Sequence, residues 1–221
     1  MRPLLVAILT LTWAWIAGAQ AVPVDVQFKL LGMKDNYDVD LAPLAGETVR
    51  LVLGEKPDWQ SPAAGRKFVT DAKGEAHFTM DALIDTRWRS RNIGLTPFSK
   101  PAKADHLKIA VELQHTFPLE KDGPLKNFRW LLTMDLDCFH DGPCSTVGFM
   151  EIYPPDAQGR FTRPLARQAD TESWKVPELN GKVIWGMSYQ VADFMLSADE
   201  NDPKKRTLRF AIKRLPQAVS R

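Results

Sequence analysis

The densest run of chemistry-bearing side chains is Met134-Asp135-Leu136-Asp137-Cys138-Phe139-His140-Asp141-Gly142-Pro143-Cys144. Asp135 and Asp137 fall on one face of an extended strand, and His140 follows in a bend. Two carboxylates and an imidazole can ligate a divalent ion, and reduced Cys138 and Cys144 would add thiolates suited to copper or zinc. The competing reading is a strand end decorated by aspartates and closed by a disulfide. Asp141-Gly142-Pro143 bends the chain readily, so the two thiols can meet. A bonded pair withdraws both sulfurs and leaves Asp135, Asp137 and His140 as the candidate metal ligands. Thiol–disulfide exchange needs a thiol activated at a helix N-terminus, whereas a strand precedes Cys138.

Nucleophilic catalysis needs a nucleophile, a base and a group that orients the base. His77, His106, His115 and His140 lie in four separate segments, and no Gly-x-Ser-x-Gly occurs. A hydrolase with an unrecognised site stays open as an alternative. Arg87-Trp88-Arg89-Ser90-Arg91 places guanidinium groups around an indole, which suits an anionic or carbohydrate-like ligand or a partner protein. The same residues also fit a loop whose Trp packs inward while Arg87, Arg89 and Arg91 pair locally. Trp59, beside Pro57, Asp58 and Gln60, and Trp174 read as loop aromatics available for contact, and Trp185 as core.

A period of two governs the elements that must hold these residues. Val24, Val26, Phe28 and Leu30 alternate with Asp25, Gln27 and Lys29. Leu107–Leu113, Phe128–Leu136 and Leu208–Ile212 repeat the pattern. One apolar face and one wet face marks an antiparallel strand with its inner side on a core. With Val49–Leu53, Lys67–Thr70, Ala76–Met80, Val147–Tyr153 and Val183–Phe194 this gives an all-β chain, an antiparallel β-sandwich. Asp71-Ala72-Lys73-Gly74 joins two of these runs as a hairpin, and Asp156-Ala157-Gln158-Gly159 repeats its residue types. The recurrence allows two abutting β units, 22–115 and 116–221, or one continuous sandwich. Asp81–Arg91 and Pro164–Glu172 could each hold a turn or two of helix. Phe98–Ala104 and Pro118–Pro124 read as loops.

The stretch Glu47–Met80 resembles the transthyretin-like (prealbumin-like) sandwiches, including carboxypeptidase regulatory-like modules. The resemblance rests on a strand, a loop holding Trp59, then Thr70-Asp71-Ala72-Lys73-Gly74 with Phe78 four residues on. It implies a Greek-key sandwich of transthyretin or immunoglobulin type, a turn role for Asp71 and Gly74 and a core role for Phe78. Such modules serve as structural, carrier or contact domains.

The first 21 residues read as an export signal: Arg2, the apolar run Leu4–Ile16, then Ala19-Gln20-Ala21 with cleavage expected after Ala21. That places the chain in a periplasm or outside the cell, where two cysteines form a disulfide. Lys+Arg number 29 against 27 Asp+Glu, and this balance points to neither nucleic acid nor an acidic membrane surface. No later stretch is apolar enough to form a membrane helix. The expected function is a non-enzymatic binding, structural or assembly module of the envelope, without a cofactor, whose partner is another envelope protein or a glycan. The alternative is a metal-binding protein centred on 135–144, holding a divalent or copper ion. If the cysteines are bonded, thiol titration of denatured, unreduced protein will find no free thiol. Two thiols per chain would remove the disulfide and return both sulfurs to the metal reading.

Overall fold

The computed structural model describes residues 20–33, 41–54, 61, 63–92, 99–114, 128–140, 144–166, 173–175, 183–185, 189–199, 201–214 and 218–219. All its regular elements among these are strands. They are β1 (Gln20–Met33), β2 (Leu41–Pro43), β3 (Thr48–Gly54), β4 (Arg66–Val69), β5 (Glu75–Asn92), β6 (Ser99–Gln114) and β7 (Arg129–Phe139). β8 (Cys144–Tyr153), β9 (Ser173–Lys175), β10 (Val183–Trp185), β11 (Tyr189–Ala198), β12 (Arg206–Arg214) and β13 (Ala218–Val219) follow. The expected signal segment 1–19, Trp59, the boundary at 118–124 and His115 lie outside the described residues.

The alternation read from sequence becomes one buried face. Val24, Val26, Phe28 and Leu30 of β1 meet Leu107, Ile109, Val111 and Leu113 of β6. Trp130, Leu132, Met134 and Leu136 of β7 and Leu208, Phe210 and Ile212 of β12 join the same cluster. Phe28 stacks edge-on against Phe68 and Phe210, with centroids 5.2 and 5.1 Å apart. Each fully buried Leu, Ile or Phe side chain contributes about 1.5–3 kcal/mol, so this cluster outweighs the surface pairs described below. A smaller cluster on the outer side holds Val52, Ala110, Leu131 and Tyr153, with Phe161 packed against it. Arg129 lies 3.8 Å over the Phe161 ring, and Glu112 takes Arg129 and the buried Arg50.

Strand β5 ties the sheet together. Its first ten residues pair antiparallel with β1, ending at Gln20↔Ile84. From Asp85 onward it pairs with the start of β6. Beyond that stretch β6 pairs with β3 on one edge, and it pairs with β7 on the other. The continuous path β11-β12-β1-β5-β6-β7-β8 curls but does not close into a barrel. Arg206 of β12 and Asp105 of β6 make an ion pair between its two halves. The fold is all-β, as expected, and its single main cluster is consistent with a sandwich. Pairings β1–β12 and β6–β7 both cross the 115/116 boundary.

Several local expectations change. β1 and β12 pair in parallel, so the sheet is mixed. Hairpins must be antiparallel, but strands about 180 residues apart have no tight turn to enforce that sense. Residues 81–91 form strand, not helix, because Ala82 and Ile84 alternate inward with Leu83 outward. Residues 99–104 are strand, not loop, and the run from Val183 divides into β10 and β11. The Asp71–Gly74 turn forms as expected: Asp71 Oδ1 accepts the N–H groups of Lys73 and Glu75 at 2.8 Å, and Gly74 sits at φ +71°. The flanking strands then diverge, β4 to β3 and β5 to β1. Asp156 accepts from Gln158 and Arg160 in the same way, and Gly159 sits at φ +74°.

Gly74 carries a second constraint. A Cβ there would lie 2.4 Å from the Leu30 carbonyl oxygen, whereas one at Gly46 (φ +73°) meets nothing within 4 Å. Gly46→Ala should therefore cost only the left-handed backbone penalty, about 1–2 kcal/mol. Gly74→Ala should cost clearly more, because backbone must also move. Urea denaturation of the two variants checks the order, and equal losses would show that Gly74 is not packed against β1.

Candidate functional site

The structure separates the residues that sequence grouped as a metal site. Asp135 and Asp137 lie on the outer face of β7. Asp135 faces Lys108 at 3.5 Å, and Asp137 accepts from His106 Nδ1 at 2.8 Å with Arg89 3.1 Å away. His140 pairs instead with Asp105, on the opposite face of β6. Among the described residues no three His, Cys, Asp or Glu side chains come together as a metal-holding group. Cys138 and Cys144 stand directly opposite across β7 and β8, with Cα atoms 3.9 Å apart, and are bonded.

Arg87, Trp88 and Arg89 are on strand β5, so the expected loop is replaced by one arm of the long β5–β6 pair. Alternation puts Trp88 on the face opposite Arg87 and Arg89. The indole is 66% exposed, and its cation is Lys103 from across the ladder, 5.9 Å from the ring centroid. Arg87 pairs with Asp85. The side chains of Arg91, Trp174 and Trp185 lie outside the described set.

A polar centre that sequence did not single out forms around Asp105. This carboxylate is only 3% exposed. Its Oδ1 accepts from Thr86 Oγ1 at 2.6 Å and contacts His140 Nε2 at 3.0 Å, while Oδ2 accepts from Arg206 Nε at 2.6 Å. Burial pushes the Asp105 carboxyl up. The hydrogen bonds from Arg206, Thr86 and His140 and the charge of Arg206 outweigh burial, and the group is held below its ordinary value. Asp105 is therefore ionised at neutral pH. Its partners come from β5, β12 and the turn after β7, separated in sequence by 19, 101 and 35 residues. No local spacing could announce them.

Asp105 and His140 line a cleft of about 640 Å³ that is also bounded by Phe139, Phe194, Met195, Ser197 and Arg209. β11 supplies much of its wall through an irregularity. The β11–β12 register jumps between Ala192 and Met195, and Asp193 takes φ 50°. Arg209 reaches Asp193 at 3.4 Å, and both are well exposed. On the outer face, Asp85, His106, Asp137 and Ser145 form one cross-strand row. The carboxylate stands between the imidazole and the hydroxyl, whereas an acyl-transfer triad requires the imidazole between them.

The two ends of the open sheet path, β8 and β11, meet where Leu196 N–H points at Cys144 Sγ, 3.5 Å away. Among the described residues β8 pairs only with β7. The direction of its free backbone groups follows from one bond: Leu165 N–H donates to the Ile152 carbonyl at 2.7 Å. Ile152 thus turns its peptide groups away from β7. Period two gives Met150, Gly148, Thr146 and Cys144 the same direction. The close Cys138–Cys144 approach agrees, since pairs without ladder hydrogen bonds lie closest. Outward from this strand project Val147 and Phe149, 59% and 60% exposed.

No family model, curated protein or solved structure matches the chain.

The Asp105 cluster predicts a pH signature. A carboxyl held low in the folded state stabilises the fold at pH values above its unfolded pKa, about 3.9, and that contribution disappears as pH falls through the folded value. Asp105→Asn leaves Arg206 buried without its counter-charge and should cost about 3 kcal/mol at pH 7. The gap from wild type should narrow at pH 3 and below. A gap independent of pH in denaturant titrations would rule out an ionised Asp105.

Proposed function

We propose that the chain is an exported, non-enzymatic binding module of the cell envelope, and that it takes an extended segment of another envelope protein as an additional strand along β8. The observation that carries this reading is the stretch of β8 from Ser145 to Met150, which among the described residues pairs with no strand but β7. Edge strands of soluble proteins are normally blunted by Lys, Pro, bulges or an inward charge. Residues 144–150, Cys-Ser-Thr-Val-Gly-Phe-Met, contain none of these. They combine outward-facing backbone groups at Thr146, Gly148 and Met150 with the exposed side chains of Val147 and Phe149.

A strand laid along this edge gains backbone hydrogen bonds and covers alternate apolar side chains, the usual basis of affinity and specificity in strand addition. The signal-like start and the disulfide support an envelope location. The disulfide also fixes the head of the strand, so less conformational freedom is lost on binding.

Gly148 provides the test. Its N–H points away from β7, and a Cβ there meets only ordinary contacts at 3.5 Å. Gly148→Pro removes a donor from the free edge while leaving the β7 ladder in place. A photo-crosslinking residue at Val147 should capture one dominant protein in the native envelope. Gly148→Pro should abolish that capture while lowering stability by no more than about 1 kcal/mol. Undiminished capture in the proline variant, or no captured protein, would defeat the strand-addition reading.

A further inference from the structure

The cleft between the end of β7 and β11 has a composition that goes beyond a protein-docking edge. We propose that it is a saccharide site, taking one or two hydroxylated sugar rings against an apolar lining that includes Phe194 and Met195 and polar lining residues His140, Ser197 and Arg209.

The choice follows from the state of each polar group. Asp105 is an ionised acceptor fixed by Thr86 and Arg206, so its contact with His140 Nε2 requires the proton on that nitrogen. In the neutral ring Nδ1 is then the acceptor. His140 is 42% exposed and lines the cleft, so its second ring nitrogen can meet a ligand hydroxyl, as acceptor in the neutral ring or donor in the charged one. Arg209 carries five N–H donors, and its contact with Asp193 is a single long one at 3.4 Å. It suits a ligand oxygen. Ser197 can donate or accept. A ligand that is both donor and acceptor at neighbouring positions satisfies all three, and vicinal hydroxyls do so.

An anion fits less well. It would face the Asp193 carboxylate in the cleft lining. A purely apolar ligand would leave His140, Ser197 and Arg209 cut off from water without partners, which is costly. Phe194 and Met195 line the cleft and supply the apolar surface that a sugar ring's C–H face covers. The volume lies within the range for small-molecule sites.

Ligand-observed saturation-transfer NMR on the mature protein tests the assignment, using N,N′-diacetylchitobiose, maltose and benzoate as separate probes. At least one disaccharide should show saturation at its ring C–H protons, with amide shifts concentrated at Phe139, Phe194 and Ser197. His140→Ala and Arg209→Ala should each weaken that binding tenfold or more. His140→Gln supplies a second variant able to hydrogen-bond Asp105, should the alanine form fail to fold. Saturation of benzoate alone would make the cleft an anion site and overturn the proposal. So would the absence of binding by both sugars, or sugar binding indifferent to His140 and Arg209. None of these readouts depends on β8 capturing a protein, so the two proposals fail separately.

Discussion

The whole arrangement depends on the change of partner within β5. Through Ile84 its backbone is committed to β1, and from Asp85 it is committed to β6. A single strand shared by two pairing groups forces their inner faces onto one core, and it brings β6, β7 and β8 round toward β12 and β11. The Asp105 cluster stands beside this handover. Thr86 is the second residue past it, Asp105 lies opposite on β6, and Arg206 reaches in from β12. An ion pair in so dry a place loses much of its attraction to desolvation. Its value is directional: two oxygens with three donors can be satisfied in few ways, and those ways fix how the two halves of the sheet meet.

The same geometry explains why three histidines with similar partners differ in promise. His77 reaches Asp25 on the outer face of β5 and stays mostly in water. His106 is buried against Asp137, whose carboxylate also takes Arg89. His140 alone is anchored on a dry carboxylate while part of its ring borders a cavity. Burial of the anchor and exposure of the imidazole, rather than the His–Asp contact itself, distinguish it.

Much of the strand content was legible in the sequence because alternation is a local property. Val24–Leu30 or Leu107–Leu113 needs no distant information to declare which side faces inward. The Asp71 and Asp156 turns were legible for the same reason, since a carboxylate taking the N–H groups two and four residues on is local chemistry. Partner choice was not. Residues 81–91 looked weakly helical because their inner face past Ile84 carries Thr86 and Trp88 rather than aliphatic residues, and only the ladder with β6 makes them strand. The pairing of the candidate metal residues was hidden for a related reason: Asp137 and His140 are three residues apart, but the partners they take, His106 and Asp105, lie on opposite faces of β6. The Asp105 cluster bonds that carboxylate to an arginine 101 residues away, so no short window along the chain contains it.

The parallel contact between β1 and β12 sets the order in which this fold can be completed. β1 is the first strand and β12 nearly the last, and nine successive residue pairs from Val24↔Arg206 to Gly32↔Arg214 join them. A chain synthesised from its N-terminus therefore presents an apolar strand early, and one edge of it stays open until β12 has been made. Closing so long a loop makes the final step slow. In the meantime pairing with β5 covers the other edge of that strand. The topology thus delays the native state until nearly all of the described strands are in place.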